Sequence, residues 1–259
     1  MKKDYHLHPR ILDPSNAFEN FIHVALDNGI KEICITDHMP LSVSNAGDRI
    51  PNGQIKAYCR RVRELAKRCE DMISIKCGIE IDYHPSVLDE IQRVLDEGDF
   101  DYILGSSHMH VFMRDCSPYT FNDFASMAIE NSMRAAESGL FHAVSHFDMY
   151  RFVFENPHRF PLIDDGYDVM KHEDRIKAFL KTISQRRVCL EINPHLAETK
   201  GNLSYTYPQQ QIVQWALEEG CAFTYGSDAH VPDSVGACLD ALKKHPVYGK
   251  ALEKWETEV

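Results

Sequence analysis

Short apolar runs that each end in a small polar cluster constrain this chain more than any other feature. They occupy residues 5–8, 32–35, 73–77, 102–104, 142–144, 188–193 and 222–225. The clusters at their ends are His6-Leu7-His8, Thr36-Asp37-His38, Gly78-Ile79-Glu80, Ser106-Ser107-His108, Ser145-His146, Glu191-Ile192-Asn193 and Gly226-Ser227-Asp228-Ala229-His230. Apolar, often β-branched runs with polar ends are the signature of buried parallel strands. Between them the apolar period changes to three and four residues. Ile55, Tyr58, Val62, Leu65, Ala66 and Cys69 make one helical stripe, as do Phe21, Ile22, Ala25 and Leu26 ahead of Gly29. Pro85 opens a third helix whose stripe is Val87, Leu88, Ile91 and Leu95, closed by Gly98. Further helices are expected over 122–138, 174–184, 209–219 and 234–244.

Strand and helix therefore alternate from end to end, which predicts an α/β fold with parallel strands in a closed or nearly closed barrel. In an open doubly wound sheet, ligands gather near one switch point. Here nearly every strand end carries a candidate, and all of them fall on the face where barrel active sites lie.

The 259 residues suit one domain, 1–259, with no repeat or linker. No apolar stretch reaches the length a bilayer demands, and Met1-Lys2-Lys3-Asp4-Tyr5-His6 lacks the apolar core of a secretory signal. Eight cysteines without a Cys-x-x-Cys pattern match reduced, buried thiols, so a cytoplasmic location is expected. The net charge of -11 argues against a nucleic-acid surface, which needs a basic stripe. No Gly-x-x-x-x-Gly-Lys phosphate loop is present.

His6 and His8 share one face at the end of a strand and can grip an ion from one side. Imidazoles and carboxylates suit Zn, Mn or Fe(II), whereas thiolate-rich sites favour softer ions. In their order along the chain, His-x-His, Thr-Asp-His, Glu80 after a strand, Ser-Ser-His, Ser-His-Phe-Asp and Gly-Ser-Asp-Ala-His resemble the PHP superfamily, named for polymerase and histidinol phosphatase domains. The resemblance spans Tyr5 to His230 and implies a distorted, TIM-like (β/α)7 barrel with a metal centre of two or three divalent ions at the C-terminal strand ends. It implies that His6, His8, Glu80 and Asp228 hold one ion. Glu80 would bridge to a second with His108 and His146, and His38 and His230 would hold a third. Many relatives carry a further histidine after His-x-His; here the stretch reads Pro9-Arg10-Ile11-Leu12-Asp13, and Asp13 is the expected substitute.

Clustered cations acidify a bridging water and neutralise phosphate oxygens, which makes phosphate-ester hydrolysis the expected chemistry. Asp228 or His230 is the candidate proton donor to the leaving alkoxide. Asp4, Asp37 and Asp148 are candidates to orient imidazoles, or equally to act as caps and turns. Phosphate recognition calls for cations at the rim. Arg10, Arg49, Arg114, Arg151 and Lys200 lie there, with Arg114 and Arg151 foremost, and His110 and His195 could touch substrate. His23 is expected to be structural and His158, His172 and His245 exposed. Stand-alone relatives of this length resemble histidinol-phosphate phosphatases of histidine biosynthesis, so the expected partner is a small phosphorylated metabolite, L-histidinol phosphate. Its amine and imidazolium could meet Glu155, Glu191 or Asp82. The rival readings are another phosphomonoester, a cyclic phosphodiester, an exonuclease, or a non-catalytic metal-binding module. An amidohydrolase would need a bridging lysine where Glu80 stands.

Overall fold

The computed structural model describes residues 1–15, 18–40, 49–108, 120–151 and 167–258. Seven strands stand side by side in chain order, each parallel to the next. They are β1 (Lys2–Leu7), β2 (Ile30–Ile35), β3 (Ser74–Asp82), β4 (Tyr102–Ser106), β5 (Ala143–Val144), β6 (Cys189–Ile192) and β7 (Phe223–Tyr225). Helices cross between them: α1 (Phe18–Asp27), α2 (Ile55–Cys69), α3 (Leu88–Glu97), α4 (Phe121–Ser138), α5 (Glu173–Arg186), α6 (His195–Lys200) and α7 (Gln210–Glu218). The chain ends with α8 (Leu239–Lys244) and α9 (Tyr248–Glu258).

The sheet curls until its first and last strands meet. Asp228 N–H donates to His6 C=O (2.8 Å), and His8 N–H donates to Ala229 C=O (2.9 Å). The buried Asp4 carboxylate fastens the same seam by accepting from the backbone N–H groups of Ser227 and Gly236, both at 2.9 Å. Tyr5 on β1 meets Tyr102 on β4 edge to face at 5.2 Å. These strands are not neighbours, so the contact crosses the barrel interior. Outside, Ile33, Ile35, Ile75 and Ile79 pack on Tyr58, Val62 and Leu65 of α2. Each such fully buried side chain stabilises by about 1.5–3 kcal/mol. The Tyr58 hydroxyl pins α2 to both strands beneath it through Ile35 C=O (3.0 Å) and Gly78 C=O (2.8 Å).

The single helix expected over 234–244 is broken. Gly236 (φ 73°) and Cys238 (φ 57°) take left-handed backbone, and regular helix begins at Leu239. The cause is the seam, because Gly236 N–H is committed to Asp4. Helices α6 and α9 were not expected. Trp255 of α9 lies 5.6 Å from Tyr5 and 6.4 Å from Tyr225, and so spans the junction of β1 and β7. Among the described residues no helix is long and apolar enough to cross a membrane, and the seven described cysteines are unbridged.

Candidate metal centre

Glu80 lies at the centre of the polar end of the barrel, 1% exposed. Its Oε1 faces His146 Nε2 at 3.0 Å and His108 Nε2 at 3.9 Å. Its Oε2 faces His38 Nδ1 (2.7 Å), His8 Nε2 (3.4 Å) and His6 Nε2 (3.5 Å). One carboxylate thus offers its two oxygens to two sets of imidazoles, the geometry of a bridging ligand. Asp228 Oδ1 lies 3.3 Å from His8 Nε2 and 3.7 Å from His6 Nε2. Candidate donor atoms gather in the sets His6–His8–Asp228, His6–Glu80–His146 and His8–His38–His230.

Buried polar atoms normally find partners. Here His6 Nε2, both ring nitrogens of His8 and Glu80 Oε2 are buried without a well-formed hydrogen bond. A divalent cation satisfies such a set, because neutral imidazoles and carboxylates are its preferred donors. The residues fit the group that the sequence implies.

Carboxylates behind the rings set their orientation. His6 Nδ1 donates to Glu191 Oε1 at 2.6 Å, and His108 Nδ1 donates to Asp82, which leaves each Nε2 lone pair toward the centre. Glu191 Oε2 also accepts from His146 N–H (2.7 Å) and Asn193 Nδ2 (3.1 Å). Gly226 makes room for this: a Cβ there would lie 2.2 Å from both Glu191 Oε1 and His6 Cβ. Two candidate ligands, His146 (φ 23°) and Asp228 (φ 58°), occupy left-handed backbone. Such strain costs about 1–3 kcal/mol per residue and persists where surroundings enforce it. Here the bonds from His146 N–H to Glu191 and from Asp228 N–H to His6 C=O enforce it.

The charges are strongly coupled. Burial opposes ionisation of Glu80, but His38, His6 and His108 outweigh it and hold the carboxyl well below its ordinary range. Asp228 is held down in the same way against burial, chiefly by His6 and His8. Burial disfavours the imidazolium of His6, yet Glu191, Asp228 and Glu80 raise it well above the usual value. His108 is pushed up to about 9 against burial, by Asp82 and Glu80. Burial and the neighbouring His38 drive His8 well below.

Several expectations are corrected. Asp13 does not join the cluster: its carboxylate accepts from Ser15 N–H (2.9 Å) and Ser15 Oγ–H (2.6 Å) in a local turn. It lines a neighbouring cavity of about 200 Å³ with Arg10, Asp37 and Arg49. Arg151 is no phosphate ligand at the rim. It is buried, with Nε 2.8 Å from Asp148, Nη2 on Thr206 C=O (2.7 Å) and its guanidinium over Tyr207. Of the two roles left open for Asp4, Asp37 and Asp148, the bonds to backbone and loop groups match the cap-and-turn one; Asp37 accepts from Arg10 and Ile11 N–H, and Asp148 from Gln209. The carboxylates beside the rings are Glu191 and Asp82, two of the three named above as able to meet the substrate. His172, expected exposed, is buried with Nε2 2.8 Å from Asn122 Oδ1. Asp228 and His230, the candidate proton donors, both stand among the candidate ligands. Asp228 is held ionised, and His230 Nδ1–H is directed to Asp228 C=O (3.0 Å). His195 lies beside His230, with ring centroids 5.8 Å apart. His110, Arg114, Glu155 and His158 lie outside the described residues.

The model of the PHP domain matches residues 4–195. A probable histidinol-phosphatase of Deinococcus radiodurans is 27% identical over 252 residues, 93% of this chain and 91% of that protein. The structure of a putative histidinol phosphatase from Listeria monocytogenes superposes with a TM-score of 0.74 at 19% identity, covering 93% of this chain and 99% of that one. A histidinol phosphate phosphatase from Lactococcus lactis, solved with Zn, L-histidinol and phosphate, superposes with a TM-score of 0.72 at 19% identity, covering 99% and 93%. With the family model matching most of its length and the matched span carrying six of its seven described strands and most of the converging ligands, the chain belongs to the PHP domain family.

Proposed function

We propose that this protein is a metal-dependent phosphomonoesterase, acting as a single domain, that hydrolyses L-histidinol phosphate to L-histidinol and phosphate in the cytoplasm. The observation that carries the reading is the convergence of the buried ring nitrogens of His6 and His8 on the buried carboxylates of Glu80 and Asp228 at one point of the barrel mouth. Divalent ions held there by His6, His8, His38, Glu80, His108, His146, Asp228 and His230 would polarise phosphoryl oxygens and acidify water at neutral pH. The chain's own part is positioning. Glu191 and Asp82 fix the tautomers of His6 and His108, and Glu80 divides its oxygens between the two sets of rings. Arg49 Nη2 reaches Asp82 at 2.6 Å and so brings positive charge beside the cluster, where a dianionic ester needs it. The choice of substrate is supported by the names of the relatives and by the L-histidinol and phosphate held in the Lactococcus lactis structure.

The test is phosphate release by Zn-, Mn- or Fe(II)-loaded protein from L-histidinol phosphate, beside sugar phosphates, nucleotides and cyclic phosphodiesters. The expected result is a kcat/KM for L-histidinol phosphate at least about a hundredfold above the panel, a difference of about 2.7 kcal/mol in transition-state binding. Turnover of another ester with L-histidinol phosphate inert would keep the metal chemistry and discard the substrate.

A further inference from the structure

We propose that His195 is a metal ligand, completing with His230 and Asp228 a cation site at the outer rim of the cluster. The inference rests on the metal-centre reading above. Asp13, expected to complete the outer site, is turned away to Ser15, while one donor atom each from His195, Asp228 and His230 lies within 4.8 Å of the others. The rings are held for this purpose by a shared acceptor. Asp228 C=O accepts from His195 Nδ1 at 3.1 Å and from His230 Nδ1 at 3.0 Å. A carbonyl has two lone pairs and only accepts, so both imidazoles carry their proton on Nδ1 and present Nε2 as the lone pair.

The backbone of His195 is fixed as well. Its N–H donates to Asn193 Oδ1 at 3.0 Å, and Asn193 Nδ2 reaches back to Asp228 Oδ2 at 3.3 Å. Two neutral imidazoles and a carboxylate select a borderline divalent ion such as Zn, Mn or Fe(II). With three protein donors, positions remain for water or a substrate oxygen, as at open metal sites. The His230 side chain, 39% exposed, places this ion on the solvent side of the cluster, where it exchanges more readily than an ion held by His6 and His8.

The experiment titrates metal-free protein with Zn or Mn by calorimetry and counts retained metal by mass spectrometry after dialysis. It compares the wild type with His195→Asn and Asp13→Asn. Asn keeps an N–H where His195 Nδ1 stood, so the bond to Asp228 C=O survives while Nε2 is deleted. The weakest binding step is expected to weaken at least about tenfold in His195→Asn with the tighter steps intact. In Asp13→Asn every step should stay unchanged. In the wild-type chain, which needs no variant to fold, loading with Zn should protect His195 from acylation by diethyl pyrocarbonate. Unchanged affinities in a folded His195→Asn, or equal acylation of His195 with and without Zn, would overturn the inference. A wild type that binds no metal would instead sink the metal-centre reading itself.

Discussion

At Asp228 one residue does several jobs. Its N–H closes the barrel on His6, its carbonyl holds His195 and His230, and its carboxylate faces His8 and His6. Asp228→Asn is therefore expected to lose metal together with activity, with retained metal and kcat falling in parallel. Full metal content with a kcat reduced a thousandfold or more would restore Asp228 as a proton donor, since a general acid contributes about 10²–10⁴-fold. The candidate ligands were legible because each stands at the end of an apolar run, so the pattern of runs placed them on one face. The orienting part of Glu191 and Asp82 was not legible, because their bonds to His6 and His108 join different strands and spacing along one segment carries no trace of them. Asp13 was misread although its fate was local: Asp-x-Ser forms a side-chain turn that satisfies the carboxylate. Arg151 looked like a rim cation, but its carbonyl partners Ser204 and Thr206 lie far along the chain.

Among the elements, all seven strands were foreseen within a few residues, since buried parallel strands write themselves as apolar runs. Helix α9 was missed despite Tyr248, Ala251, Leu252 and Trp255 at helical spacing, because no strand follows to suggest a crossover. Helix α6 has only six residues, too few for a period to emerge. The broken 234–244 segment shows a long-range demand overriding local propensity: the seam takes Gly236 N–H for Asp4. Burial raises Asp4 to about 6, while its bonds to Ser227, Gly236 and His6 pull the other way. Asp4→Ala would leave the Ser227 and Gly236 N–H groups buried without a partner, each costing on the order of 1–3 kcal/mol. Denaturant unfolding should register that loss, and the slackened seam should weaken metal binding at Asp228. A variant within about 0.5 kcal/mol of wild type, the range of ordinary surface changes, would show that the seam does not depend on this carboxylate.

For the whole molecule, the barrel mouth gathers imidazoles and carboxylates that only a cation can reconcile. In the metal-free chain protons take that place. His108, raised to about 9 against burial by Asp82 and Glu80, holds a proton that the unfolded chain gives up near 6.5, and His6 and His38 are raised in the same direction. A base with a raised folded pKa contributes stability that is fully present below its unfolded value and is lost as pH rises through the folded one. Metal-free protein should therefore lose stability between about pH 6.5 and 9. His8, held well below its ordinary value by burial, works oppositely, and its contribution falls only on acidification below about 6.5. A bound cation displaces those protons and supplies the positive charge at every pH in the window, so its affinity climbs with pH. Melting curves of metal-free and Zn-loaded protein at pH 6.5, 7.5 and 8.5 should separate progressively, with Tm falling in the first series and holding in the second. Calorimetric titration in buffers of different ionisation enthalpy should find protons released on binding, fewer at pH 8.5 than at 6.5. A gap in Tm that stays constant or narrows across this range would mean that the imidazoles are already neutral in the metal-free fold and that bound metal displaces no protons from them.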